Sequence, residues 1–228
     1  INISSTDDGI HANSDSGVLE TGEDGKGIIS ISGGTITIST GDDGIHADGV
    51  LTISDGIIDI TKSYEGLEGL QVIINNGDIS IVSSDDGINS TATSGQGIVI
   101  DGGNLYILAG GDGLDSNSRT AYSGIVFKGG KTVVISTSGG NSAIDTEAGY
   151  TYTSGSVLAI MPNGGMTSEA THCSNFSSVA KKISMSLSSG KTLTVSVSNS
   201  AILSVKIPCN LSAIVIYLGS TSANISLN

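Results

Sequence analysis

The residues best placed to do chemistry belong to one short phrase that the chain repeats. It reads Asp7-Asp8-Gly9-Ile10-His11, then Asp42-Asp43-Gly44-Ile45-His46. Looser copies are Tyr64-Glu65-Gly66-Leu67-Glu68, Asp85-Asp86-Gly87-Ile88-Asn89 and Gly111-Asp112-Gly113-Leu114-Asp115, with an echo at Asn141-Ser142-Ala143-Ile144-Asp145. Stacked in space, the copies form three columns. One holds Asp8, Asp43, Glu65, Asp86 and Asp112. A second holds His11, His46, Glu68, Asn89, Asp115 and Asp145, and a third Asp7, Asp42, Tyr64 and Asp85. Like charges about 5 Å apart raise each other's pKa and oppose folding unless something neutralises them. Calcium suits such a ladder, because it takes roughly 6–8 oxygens from carboxylates, amides and backbone carbonyls. The glycine lets the backbone turn close to the ion. An Asp-Gly pair also simply makes a bend. That accounts for one acid per copy, but not for doubled acids or for Glu65-x-x-Glu68.

Other side chains near the phrase have two readings each. His11 and His46, among so many oxygens, read as hydrogen-bond partners of acids or of a sugar rather than as zinc or copper ligands. Lys62 stands three residues before Glu65, and Lys26 and Arg119 lie in longer segments. Any of them could remove the proton α to a uronate carboxylate in a calcium-assisted lyase. The plainer reading of Lys62 is a salt bridge to its acidic neighbours. A homopolymeric ladder offers no distinct acid and base for glycoside hydrolysis. Tyr64, Tyr122, Tyr150 and Tyr152 could stack on sugar rings or simply pack. Thr35-x-Thr37 is not repeated on later copies, which removes an ice-binding reading.

The positioning elements follow from three apolar series that shift together. These are Ile31, Ile53, Ile74, Ile100, Phe127; Ile38, Ile60, Ile81, Ile107, Ile135; and Ile10, Ile45, Leu67, Ile88, Leu114, Ile144. From Ile31, Ile38 and Ile45 onward, each series steps by 22, then 21, then 26 residues. Around them the sequence alternates with period 2 between Gly and Asn turns, the mark of strands. The reading is an all-β, right-handed parallel β-helix with three strands per coil over residues 1–165, closed by a small antiparallel β cap over 166–228. The longer segments, roughly 11–27, 89–96 and 115–123, all leave just after the phrase. Loops on one edge read as a groove wall. Two cysteines, Cys173 and Cys209, lie outside the repeats and read as a disulfide or as two buried thiols. A net charge of -13, from 22 acids against 9 bases, disfavours nucleic acid. No apolar run approaches the roughly 18 residues of a membrane helix. The chain begins directly in repeat sequence with no signal peptide read, as expected of a mature or trimmed chain.

The phrases at 7–11 and 42–46, with Ala47-Asp48 after the second, resemble a bacterial family. So do Gly33-Gly34-Thr35-Ile36, Asp101-Gly102-Gly103-Asn104-Leu105 and Gly155-Ser156-Val157-Leu158-Ala159. It is the calcium-binding carbohydrate-binding-domain family, whose pectate-lyase-like β-helix binds cellulose and polygalacturonate at the cell surface. The resemblance implies several calcium ions, with Asp48 among their ligands, export, and binding with weak or no catalysis. Tyr64-Glu65 departs from it by replacing the doubled Asp. The expected function is calcium-dependent binding of an acidic cell-wall polysaccharide, with His11, His46, Tyr64, Lys62, Arg119 and Tyr122 against the sugar. A pectate lyase with Lys62 as base, and a structural surface repeat, are the alternatives.

Overall fold

Period-2 alternation buries one face of every strand, and coil-on-coil pairing then fixes which residues share that face. The computed structural model describes residues 1–14, 27–164 and 166–228. Within them the chain winds as an all-β solenoid whose successive coils pair in parallel. Ile31, Ile53, Ile74, Ile100, Phe127 and Tyr152 stack in one column. Ile10, Ile45, Leu67, Ile88, Leu114 and Ile144 stack in another. The three apolar columns fill one continuous core. Bends between strands are slight enough that Ile45–Ser63 runs as one strand of 19 residues.

The middle column differs by one residue from expectation. Ile107 pairs with Val134, not Ile135, and the column continues through Ala159 to Ile216. Ile135 points to the opposite face, yet it is only 1 % exposed. The C-terminal segment covers it. Strand Leu211–Leu218 pairs antiparallel with Ser156–Pro162, the last repeat strand, and with Ala180–Leu187 on its other side. These two strands extend the solenoid sheet. Thr192–Val197, Ser200–Lys206 and Asn224–Leu227 form a separate three-stranded antiparallel sheet. Its Leu193, Val195, Leu203 and Val205 pack on Val133, Ile135, Leu158 and Ile160, making a second core outside the first. The cap therefore both closes the sheet edge and roofs one outer wall, which removes an aggregation-prone edge. The disulfide reading does not hold, since both cysteines are free. The Cys173 thiol donates to Asn175 at 3.2 Å and its residue bridges to Tyr150, whereas Cys209 lies near Tyr106 on the opposite flank.

The glycines of the repeated phrase are required by crowding between coils. A Cβ on Gly66 would stand 2.3 Å from the Gly87 carbonyl oxygen and 2.3 Å from an Ile81 methyl. Gly9, Gly44 and Gly87 are equally tight against the next coil's backbone. Gly66→Ala should therefore cost about 1–3 kcal/mol as an overpacked core position. Gly139→Ala, where a Cβ meets nothing within 4 Å, should stay within about 0.5 kcal/mol of the parent. Urea unfolding of the two variants checks this, and equal midpoints would contradict it.

Candidate functional site

The phrase copies lie on adjacent coils in one register. His11 pairs with His46, His46 with Glu68, Glu68 with Asn89, Asn89 with Asp115, and Asp115 with Asp145. The preceding acids are tied coil to coil by backbone. Asp8 Oδ1 accepts the N–H of Asp43 at 3.1 Å, and Asp43 Oδ1 that of Glu65 at 3.2 Å. Asp86 Oδ1 accepts the N–H of Asp112 at 2.7 Å, and Asp112 Oδ1 that of Ser142. Each aspartate thus spends one oxygen on the next coil and keeps the other. Glu65 breaks the pattern, because its longer side chain reaches past the backbone to the Asn89 amide, which donates to Oε1 at 3.2 Å.

At the N-terminal end the ladder carries histidines. The two imidazoles stack with centroids 4.5 Å apart and planes within 7°. His11 Nδ1 meets Asp8 Oδ2 at 2.8 Å; His46 Nδ1 lies 3.4 Å from both Asp43 Oδ2 and Glu68 Oε2. The histidines do bond acids, as their surroundings implied. Hydrogen bonding to Asp43 holds His46 up at about 9. Burial pushes Asp43 up, but its bonds with His46 and Glu68 prevail and leave it below its ordinary value. Asp48 faces both rings from the far side. A cavity of about 240 Å³ opens here, lined by His46, Ala47, Asp48, Glu68, Gly69 and Thr91. Asp7, Asp8 and Asp42 bring carboxylate oxygens within 4.8 Å of one another at the rim.

The C-terminal half is all oxygen. Burial raises the pKa values of Asp86, Asp112, Asp115 and Asp145, and nearby acids add to it: Asp85 and Asp145 at Asp86, Asp145 and Asp86 at Asp112, Asp86 and Asp145 at Asp115, and Glu169 and Glu147 at Asp145. Asp112 and Asp115 reach about 7 and Asp86 about 6. Burial and Glu68 push Glu65 up to about 8, and burial lifts Glu68 to about 7. Between these halves, Glu65 Oε2 and Asn89 Oδ1 are buried with no hydrogen-bond partner.

The structure separates the remaining candidates. Tyr64 is 48 % exposed and its phenol, hydrogen-bonded to Asp85, is raised to about 12. Tyr122 is 40 % exposed, with its ring edge-on to His172 at 5.3 Å. Tyr150 and Tyr152 are instead core residues, their hydroxyls donating to the Ala170 and Gly155 carbonyls. Lys62 and Arg119 are exposed, and among the described residues neither forms an ion pair, so the salt bridge expected at Lys62 is not made. The segments after the fourth and fifth copies stack on each other. Arg119 N–H donates to the Thr93 carbonyl at 3.0 Å, and the Ser118 hydroxyl to that of Gly95 at 2.7 Å. Lys26 and most of the first long segment lie outside the described residues. The sequence reading had the histidines bonding acids but not which ones, although the Asp-x-x-His spacing of Asp8–His11 and Asp43–His46 carries that pairing.

A protein-family model described as "Carbohydrate-binding domain-containing protein" matches residues 1–97. Residues 1–97 are similar to that family. The match takes in the first four copies of the phrase and ends before Asp112. No curated protein and no solved structure matches the chain. No helix among the described residues is long and apolar enough to cross a membrane.

The shifts make a signed prediction for the metal-free protein. An acid whose pKa is raised in the fold takes up protons on folding, so its contribution to stability falls as pH rises from its unfolded value, about 4, to its folded one. Glu65, Glu68, Asp86, Asp112 and Asp115 all act this way, up to about 8. His46 contributes fully below its unfolded value and loses that contribution as pH rises through about 9. Asp43, lowered, contributes above its unfolded value of about 4 and loses that contribution only as pH falls below it, outside this range. In a chelator, the urea midpoint should therefore fall continuously from about pH 5 to about pH 8.5. A flat or rising midpoint would show that the ladder is not strained by its own charge.

Proposed function

We propose that this protein binds an acidic polysaccharide through calcium ions held on the ladder, without cutting it. The observation that carries this is the orphaned pair Glu65 Oε2 and Asn89 Oδ1, set among carboxylates. Buried acceptors without donors cost about 1–3 kcal/mol each. A cation that takes oxygen ligands relieves both that cost and the repulsion. The donors present, carboxylate and amide oxygens, are the kind calcium takes. Glu65, Glu68, Asp86, Asn89, Asp112, Asp115 and Asp145 would hold it. Asp85, Asp42 and Asp7, at the outer rim, are further candidates.

The substrate class follows from charge. A chain with net charge -13 repels a polyuronate unless cations lie between them. Ladder calcium would supply that bridge, accepting sugar carboxylates in positions the protein leaves open. The likeness of residues 1–97 to carbohydrate-binding-domain proteins supports a sugar ligand. Polygalacturonate is the first ligand to test and cellulose the second. Exposed Tyr64 and Tyr122 offer ring faces, and Arg119 and Lys62 offer free cations for sugar carboxylates. Such a role places the protein outside the cell or on its surface.

Polygalacturonate should retain the protein in calcium and release it in EDTA, and calcium should raise the thermal midpoint. Asp112→Asn with Asp115→Asn should weaken retention at least tenfold, as expected when about two charged ligands are lost. Retention that survives EDTA unchanged would sink the reading. Accumulation of unsaturated uronate in the same mixture would replace holding with cutting, and Lys62→Ala would then be the first variant to assay.

A further inference from the structure

We propose that Asn76 is a self-modification site, where the Gly77 nitrogen attacks the Asn76 side-chain amide and converts it to aspartate and isoaspartate. The pair occupies the turn between strands Leu67–Ile74 and Asp78–Ser83. Asn76 is exposed, and among the described residues its side-chain amide makes no hydrogen bond. The N–H of Gly77 is likewise unbonded among them, although its carbonyl accepts the N–H of Asn104 at 2.8 Å. Gly77 has φ +120°, and no Cβ shields its nitrogen. Nucleophile and electrophile are adjacent in the chain and both are free.

The reaction needs only water. The Gly77 nitrogen gives up its proton and bonds to Asn76 Cγ. The side-chain nitrogen leaves as ammonia, and a succinimide ring closes. Water then opens the ring at either carbonyl. One opening yields aspartate, and the other isoaspartate, whose main chain runs through the former side-chain methylene. Asparagine is among the thermolabile residues.

The ladder holds related chemistry in a blocked form. Asp8–Gly9, Asp43–Gly44, Asp86–Gly87 and Asp112–Gly113 could close the same ring with loss of water. There, each glycine N–H donates to a carbonyl of the next coil at 2.9 Å. Each aspartate has also committed one oxygen to the next coil's backbone. The stacking that builds the ladder thus protects it, and Asn76 lies where the stack leaves a nitrogen uncovered.

Isoaspartate at this turn has a structural cost. The Asn75 N–H donates to the Ile53 carbonyl of the preceding coil at 2.8 Å, and the Gly77 carbonyl accepts from Asn104 of the following one. A Cβ on Gly77 would already stand 2.9 Å from the Gly56 carbonyl oxygen. An added main-chain methylene between Asn75 and Gly77 pushes one of these bonds out of register, so conversion loosens this coil from its neighbours. The other Asn-Gly pair, Asn163–Gly164, follows the last repeat strand. A Cβ on Gly164 meets nothing within 4 Å, so conversion there disturbs no coil.

The test is to age the protein in near-neutral buffer with EDTA, folded or in urea, and to map peptides with detection of isoaspartate. Asn76 should convert at rates within about tenfold of each other in the two states. The ladder pairs should form isoaspartate at least about tenfold more slowly folded than unfolded, because local opening must first free the glycine nitrogen. The urea midpoint of the aged parent, and of aged Asn163→Ala, should fall in step with isoaspartate at Asn76. Aged Asn76→Ala should keep its fresh midpoint. Fresh Asn76→Asp, with the new charge but no added methylene, should unfold close to the fresh parent. No conversion of Asn76 in the folded protein, ladder pairs as reactive folded as unfolded, or an unchanged midpoint after conversion would each overturn the proposal. None of these outcomes depends on whether the protein binds calcium or polysaccharide.

Discussion

Parallel coil-on-coil hydrogen bonding is the constraint from which the rest of this molecule follows. Each coil lies one strand spacing, about 4.8 Å, from the next. A repeated sequence in register must then set like over like. For isoleucine this is favourable, and the three apolar columns fill the interior as one core. For glycine it is compulsory, since the coils approach too closely at the phrase for any Cβ. For carboxylates it is costly. Unit charges that close repel by about 3 kcal/mol at an effective dielectric constant of about 20. The backbone that buries the isoleucines therefore also builds the acidic ladder, and neither can be changed without the other.

The protein meets that cost in two ways along its length. One oxygen of Asp8, Asp43, Asp86 and Asp112 accepts a backbone N–H from the next coil, turning half of each carboxylate into a structural strut. In the first two copies the other oxygen faces imidazole. Beyond Glu65 there are no histidines in the ladder, and the acids there are raised by burial and by neighbouring acids. Glu65 marks the change. Its extra methylene carries the carboxylate away from the backbone N–H that an aspartate would cap, to an asparagine one coil on. The orphaned oxygens lie at that seam.

Much of this architecture was legible because the solenoid converts sequence separation into contact with few free parameters. Three series that step together leave one register, and the structure has it from Ile31 to Phe127. The misreading of Ile135 is instructive. Ile135 is the bulkier residue and suits the isoleucine series, but the step of 27 from Ile100 to Phe127, applied to Ile107, lands on Val134, an equally good core residue. Which faces inward depends on whether something covers the other, and here Leu193, Val195 and Leu203 of the cap do. Burial by a distant segment leaves no trace in local alternation. Tyr150 and Tyr152 were ambiguous for the same reason, because the residues that bury them follow the repeats.

The site was legible by residue type and less so by atom. Spacing gave the columns, but not that Asp8, Asp43, Asp86 and Asp112 each commit one oxygen to a backbone N–H of the next coil. Nor did it give Asp48 its place opposite both imidazoles, since among the later copies only the last, with Glu147, has an acid at that step. A repeat reveals what recurs, whereas a site often depends on what occurs once. In this ladder the recurring acids supply charge, and the departures — Asp48, Glu65 and the loss of histidine after His46 — set how each stretch balances it.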